Sequence, residues 1–280
     1  MTSVVVLLLA GLLIDGQNWE VVSQGHTFTE GPAADLAGNL YYTDVFKSKI
    51  HRLTPEGNSE VFVDQAYGTN GLMFGPDGRL YACQNGKKQI VAYDDKGEFK
   101  VIADGVLSND LVVNRAGGIY FTDPVNHQIW YIAPGGEKKV VDKGMQYPNG
   151  LVLSPDQGTL YVVDMKDTKL WAFRVEADGT LGMKEAFGDL RVPEGRPDVG
   201  ADGMTIDSKG QVYVATQIGL QVFDTQGRLV GVIDKPEGAA WLANAAFAGP
   251  ELDTLYVTAS TKVFKRKINA KGVRYFEPGK

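Results

Sequence analysis

"YPNGLVLSPDQGTLYVVDMKDTKLWAF", residues 147–173, holds three short apolar runs parted by turn residues. "LVL" leads into the turn "SPDQG", the alternating run "TLYVVD" follows, and "KLWAF" comes after a second polar break. Short runs rich in β-branched and aromatic residues, bounded by Gly, Pro, Asp and Ser, read as strands joined by tight turns. No helical period of apolar residues competes with that reading.

The same grammar recurs along the chain. Aligned on Tyr41, Tyr81, Tyr120, Tyr161, Tyr213 and Tyr256, the copies are separated by 40, 39, 41, 52 and 43 residues. Each has a first apolar run, a turn such as "GPDG" (75–78), and a second strand such as "RLYACQ" or "GIYFTD". A third strand ("KIHRL", "QIVAY", "QIWYI", "KLWAF", "LQVFD") and a fourth ("EVFVD", "KVIAD", "KVVDK", "VGVID") follow. Four antiparallel strands at a period of about forty residues make a propeller blade, and six blades close a ring around a channel. The expected fold is therefore all-β, a six-bladed β-propeller with four-stranded antiparallel blades. An open ring would leave unpaired strand edges. The sixth copy stops after "KVFKRKI", so "NWEVV" (18–22) is expected to supply the missing fourth strand of the last blade, with "VRYF" (273–276) as the rival. Residues 17–280 are expected to form a single propeller domain, preceded by an apolar segment over 1–16.

Composition agrees. The 280 residues are 44% hydrophobic and 22% charged, enough to bury a large core. A net charge of −6 with both signs interspersed argues against nucleic acid as a partner, leaving a small molecule or no partner. The single cysteine, Cys83, excludes an internal disulfide and a Cys-based zinc cluster and reads as a packed core residue. "SVVVLLLAGLLI" (3–14) is too short to span a bilayer and reads either as a signal-peptide remnant, implying a periplasmic or secreted protein, or as a native apolar strand of a cytoplasmic one. A monomer or weak oligomer is expected.

Counting back eleven or twelve residues from each aligned Tyr reaches Glu30, Asn70, Asn109, Asn149, Asp202 and Asn244. The first strand of a propeller blade is innermost, so these positions form a ring around the channel mouth. Asn and Asp before Gly also serve as turn formers. Glu30 has no such turn chemistry, and two carboxylates converging on an apolar channel are costly without a cation or hydrogen bonds. Carboxylate and amide oxygens suit a hard ion: Ca2+ first, or another divalent cation such as Mg2+, Mn2+ or Zn2+.

"FTEGPA" with Glu30, "SNDLVVNRAGGIYFTDP" with Asn109, "YPNGLVLSPD" with Asn149 and "ADGMTIDSKGQVYVA" with Asp202 resemble, in order, motifs of the calcium-dependent SMP-30/gluconolactonase-like lactonases. The likeness runs from about Trp19 to Lys265. It implies that Glu30, Asn149 and Asp202 hold a divalent ion, that Asn109 joins them as ligand or substrate contact, and that Asp202 is the acid/base. Many sugar-lactone members carry an arginine two residues ahead of that asparagine. Leu107 stands there instead, so aldonolactone specificity does not follow.

The implied activity is lactone hydrolysis, with Asp202 and Asn109 catalytic and Asn70, Asn109 and Arg196 contacting a small sugar-type lactone. Arg196 lies in the long insertion "MKEAFGDLRVPEGRPDVG" (183–200), which is expected to rise beside Asp202. The alternatives are a non-catalytic binding scaffold and a phosphotriesterase-type hydrolase on the same site. Asp44, Asp123 and Asp164, each three residues after an aligned Tyr, read as loop caps. His26, His51 and His127 show no ligand spacing and read as surface or packing residues.

Overall fold

The computed structural model describes Leu9, residues 11–196 and residues 198–276. Strand β1 (Glu20–Gln24) precedes blade one, which is β2 (Thr29–Ala34), β3 (Leu40–Asp44), β4 (Lys49–Leu53) and β5 (Ser59–Val63). Blade two is β6 (Thr69–Phe74), β7 (Leu80–Gln84), β8 (Gln89–Tyr93) and β9 (Phe99–Asp104). Blade three is β10 (Leu111–Val113), β11 (Ile119–Asp123), β12 (Gln128–Ile132) and β13 (Lys138–Lys143). Blade four is β14 (Pro148–Leu153), β15 (Thr159–Asp164), β16 (Lys169–Val175) and β17 (Leu181–Asp189). Blade five is β18 (Met204–Ile206), β19 (Val212–Thr216), β20 (Gly219–Phe223) and β21 (Leu229–Ile233). Blade six is β22 (Asn244–Ala248), β23 (Thr254–Ala259), β24 (Lys262–Lys267) and, returning from the N-terminus, β1.

Burial follows each strand's place in its blade. Second strands such as β3, β7 and β11 are buried at every residue, because both faces meet neighbouring blades. The outermost β5 is exposed over its first three residues. Six apolar clusters of buried residues lie at the six blade-to-blade interfaces. Tyr213 and Leu220 of blade five meet Phe247 and Val257 of blade six. Leu40 and Tyr42 of blade one meet Tyr256 and Val263 of blade six. Each fully buried Val, Leu or Phe contributes about 1.5–3 kcal/mol, so these seams hold the ring together. The turns after the inner strands use one device: Asn114 Oδ1 accepts from the Ala116 and Gly118 amides, at 3.0 and 2.8 Å, and Asp207 Oδ1 accepts from those of Lys209 and Gln211, each at 2.9 Å.

The ring closes through β1, which pairs antiparallel with β24, Glu20 facing Lys265 and Gln24 facing Lys262. Trp19 Nε1 donates to Asp234 O at 2.7 Å. The rival "VRYF" forms no strand of this sheet: Gly272 bridges to Asp207, and Tyr275 and Phe276 pack against seams of blades two to five. Two aromatic rings gain more burial over the end of the channel away from the ring residues than on an outer edge.

Residues 183–189 of the presumed insertion belong to the long outer strand β17, which leaves 190–201 to connect blade four to Asp202. Of the apolar segment 3–14, residues 3–8 and 10 lie outside the described residues. Leu12 is buried, Leu9 and Leu13 pack on the seam of blades five and six, and Leu13 bridges to Ile268. No helix among the described residues is long and apolar enough to cross a membrane. Asp44 and Asp164 are loop caps: Asp44 accepts from the Thr27 and Phe28 amides, and Asp164 from those of Gln146 and Tyr147. Asp123 does the same for Asn126.

Candidate active site

All six ring residues stand where an innermost strand begins. Glu30, Asn70 and Asn149 are the second residues of β2, β6 and β14, Asn244 opens β22, and Asn109 and Asp202 come two residues before β10 and β18. In blades one, two and four the register with the second strand slips just here, between Glu30 and Ala33, Thr69 and Leu72, and Pro148 and Leu151. Such irregularities re-aim a side chain, here towards the channel. The glycine after the ring residue is needed for close approach between blades rather than for a turn. A Cβ on Gly150 would sit 2.2 Å from Asp202 O, and one on Gly71 would sit 2.3 Å from Asp110 Oδ1.

The side chains form two hydrogen-bonded arcs. In one, Asn70 Nδ2 donates to Asn109 Oδ1, Asn109 Nδ2 to Asn149 Oδ1, and Asn149 Nδ2 to Asp202 Oδ1 at 2.8 Å. Trp241 Nε1 ends that arc, donating to Asp202 Oδ2 at 2.6 Å. In the other, Asn244 Nδ2 donates to Glu30 Oε2 at 3.1 Å and to Asp110 Oδ2 at 3.2 Å, while the Gly31 amide donates to Glu30 Oε2 at 2.7 Å.

Asp110 is the residue that counting repeats overlooked. Its position, directly after the ring residue, is Gly31, Gly71, Gly150, Gly203 or Ala245 in the other blades, so a charged residue there was the available signal. It brings the buried carboxylates to three: Glu30 is 3% exposed, Asp202 5% and Asp110 8%.

Burial dominates the electrostatics. It pushes Glu30 well above the usual carboxylate range, helped by the charges of Asp202 and Asp110. Asp202 is pushed up to about 7 by burial, against the hydrogen bonds from Trp241 and Asn149 that favour its charged form. Asp110 rises to about 6, again through burial, with the Asn244 bond opposing. The partners of the three acids are amide, indole and backbone N–H groups, with no basic side chain among the described residues. Asn70 Oδ1 is buried with no hydrogen-bond donor. Three uncompensated acids plus an orphaned amide oxygen fit a divalent cation with oxygen ligands.

Behind the ring lies a cavity of about 460 Å³, lined by Leu72, Phe74, Val112, Val152, Ile206 and Phe247, with Val273–Phe276 contributing to its wall. Only Asp110 and Asn244 of the acid–amide set line it, so the ring forms its roof. Trp241 meets the ring at Asp202 and does not line this cavity. Leu107 is half-buried beside Asn109. Arg196 is exposed and makes no contact with the ring among the described residues.

Fold and site together define a class: six-bladed β-propellers with an acidic, oxygen-donor ring at the mouth of the channel. Residues 28–261 match the SMP-30/Gluconolactonase/LRE-like region, and the chain belongs to that family. It is 26% identical over 287 residues to a gluconolactonase of Zymomonas mobilis, covering 88% of this chain and 80% of that one. It is 25% identical over 230 residues to a pentonolactonase of Haloferax volcanii, covering 79% and 77%. Among solved structures, a gluconolactonase from Xanthomonas campestris superposes with a TM-score of 0.82 at 26% identity, over 93% of this chain and 92% of the other.

Proposed function

We propose that the protein is a lactonase that opens a small sugar-type lactone with water to the hydroxy acid, and that it needs a divalent cation to do so. The observation that carries this reading is the set of three buried carboxylates converging on one channel mouth without a basic partner. The gluconolactonase and pentonolactonase relatives support the substrate class. Glu30, Asn149 and Asp202 would hold the ion, with Asn109 beside them and calcium as the first choice for an all-oxygen set. Bound there, a divalent cation supplies a Lewis acid for the ester carbonyl and stabilises the oxyanion.

The remaining steps belong to the chain. Asp202, as carboxylate, takes a proton from the attacking water as its oxygen bonds to the carbonyl carbon. It returns that proton to the ring oxygen when the C–O bond breaks, so the products are a carboxylic acid and a free hydroxyl. Such proton transfer is worth roughly 10²–10⁴ in rate. Asn149 Nδ2 and Trp241 Nε1 hold one oxygen of Asp202 each, so the carboxyl plane is set before substrate arrives. Asn109 and Asn70 would orient the substrate oxygens, with Arg196 of the connecting segment as the proposed partner for a substrate hydroxyl. Without an arginine at Leu107, preference among lactones rests on those groups.

The test is hydrolysis of a panel of aldono- and alkyl lactones with calcium and with chelator, for the wild type, Glu30→Gln and Asp202→Asn. Activity that survives both chelation and Asp202→Asn removes the proposal.

A further inference from the structure

His26, in the loop between β1 and β2, and His51, in β4, are brought together with Asp44 at the end of β3. One donor atom from each lies within 4.8 Å of the others. The sequence has no ligand spacing here because the three come from three separate elements; pairing of β3 with β4 sets Tyr42 opposite His51 and brings Asp44 near it. The His26 and His51 rings meet edge-on at 4.8 Å, and His51 stacks on Tyr42 at 5.2 Å.

Packing alone does not account for the surroundings of the two imidazoles. His26 Nδ1 lies 3.4 Å from Asp44 Oδ2, beyond the usual N–H···O range of about 2.7–3.2 Å. Two donors on one tetrahedral ion with bonds of about 2.0–2.1 Å are separated by about 3.3–3.4 Å, which matches. His26 Nε2 is in turn held by Ser23 Oγ at 2.7 Å, with Tyr42 OH at 3.3 Å. When the Nε2 proton is given to Ser23, the Nδ1 lone pair faces the carboxylate, two acceptors that a cation between them reconciles. Finally, His51 Nε2 is buried with no hydrogen-bond partner.

The cap function of Asp44 does not require these histidines. Asp164 caps its loop in blade four with the same backbone geometry and no histidine. Asp44 Oδ1 accepts from Thr27 Oγ1 and the Phe28 amide, while Oδ2 takes the Thr27 amide at 3.1 Å and also faces His26. Burial keeps both imidazoles below their ordinary values, His51 at about 4, so both are neutral and able to ligate at pH 7. Lys47 Nζ stands 3.8 Å from Asp44 Oδ2, at the limit of an ion pair, and gives its hydrogen bond to Gly25 O at 2.7 Å.

We propose that His26, Asp44 and His51 form a second metal site, separate from the channel ring, for a borderline-soft divalent ion such as zinc, with water as the fourth ligand. Two imidazoles and one carboxylate suit zinc, whereas calcium prefers all-oxygen sets. The site lies where the closing strand passes into blade one. The His26 amide donates to Thr261 O of the sixth blade at 3.2 Å, so an ion here fastens the two ends of the ring. This stands apart from the lactonase proposal, because binding and stability are its readouts.

The experiment uses the full chain carrying Glu30→Gln and Asp202→Asn, which disable the ring, stripped with chelator and titrated calorimetrically with zinc chloride. One equivalent of zinc should bind and raise Tm, and cobalt(II) in its place should give the intense visible bands of a four-coordinate ion. Adding His51→Phe, which keeps an aromatic ring against Tyr42, or His26→Gln should abolish both the binding and the Tm shift. Near-UV circular dichroism verifies that each variant is folded. No zinc binding by the folded ring-disabled protein, or undiminished binding with His51→Phe or His26→Gln, overturns the site.

Discussion

Replacing Trp241 with phenylalanine removes one proton donor and little else. Its Nε1–H donates to Asp202 Oδ2 at 2.6 Å, and phenylalanine keeps most of the apolar ring. A hydrogen bond to a charged acceptor is worth about 1.5–3 kcal/mol, and one pKa unit corresponds to about 1.4 kcal/mol. The bond favours the carboxylate, so its loss raises the Asp202 pKa by about one to two units. On the proposed mechanism the carboxylate accepts the water proton, so the acid limb of kcat against pH should move upward by the same amount. At a pH on that limb kcat falls about tenfold to a hundredfold, and it recovers as the pH is raised. The assay is a pH profile at saturating lactone and calcium, corrected for spontaneous hydrolysis, with Asp202→Asn as the control that should show no turnover above that background. An acid limb that stays in place or moves down in Trp241→Phe would refute Asp202 as the proton acceptor.

The three buried acids make the chelated protein sensitive to pH. Their folded pKa values are raised, so the native state binds more protons than the unfolded chain, and stability falls as pH climbs from about 4 through Asp110 near 6 and Asp202 near 7. Tm measured with chelator should drop between about pH 5 and about pH 8, the drop should shrink in Asp110→Asn, and saturating calcium should remove most of it. Gly71→Ala places a methyl group 2.3 Å from Asp110 Oδ1 and 2.8 Å from its Cα. It should cost about 1–3 kcal/mol in denaturant unfolding and weaken calcium binding. Deleting residues 1–24 removes β1 and leaves β24 as an open edge; the shortened chain should lose cooperative unfolding and aggregate, as followed by calorimetry and light scattering.

The repeat carries most of the fold. The third strands "KIHRL", "QIVAY" and "QIWYI" coincide with β4, β8 and β12, because their boundaries are marked by turn residues that act locally. The place of "NWEVV" was readable from the missing fourth strand, since an unpaired edge has to be covered. The extent of β17 was not, because its extra length is set by pairing with β16 rather than by any turn signal of its own. At the site, Glu30 stood out as the one long acid in a series of Asn and Asp. Asp110 did not, because its role comes from projecting past Gly71 of the neighbouring blade, a contact without local trace. Trp241 was invisible for the same reason, reaching Asp202 from 39 residues away. His26 and His51 had no spacing to betray them, since β pairing and the closing loop bring them to Asp44.

The most direct test of the central claim is the rate of lactone opening by one enzyme sample measured before chelation, after chelation, and after calcium is restored. Activity should disappear with chelator and return with calcium in the wild type, while Glu30→Gln, folded and of similar Tm, should remain inactive throughout. Turnover that continues undiminished in chelator, or a fully active Glu30→Gln, would contradict the assignment of the acid ring as a cation-dependent lactonase site.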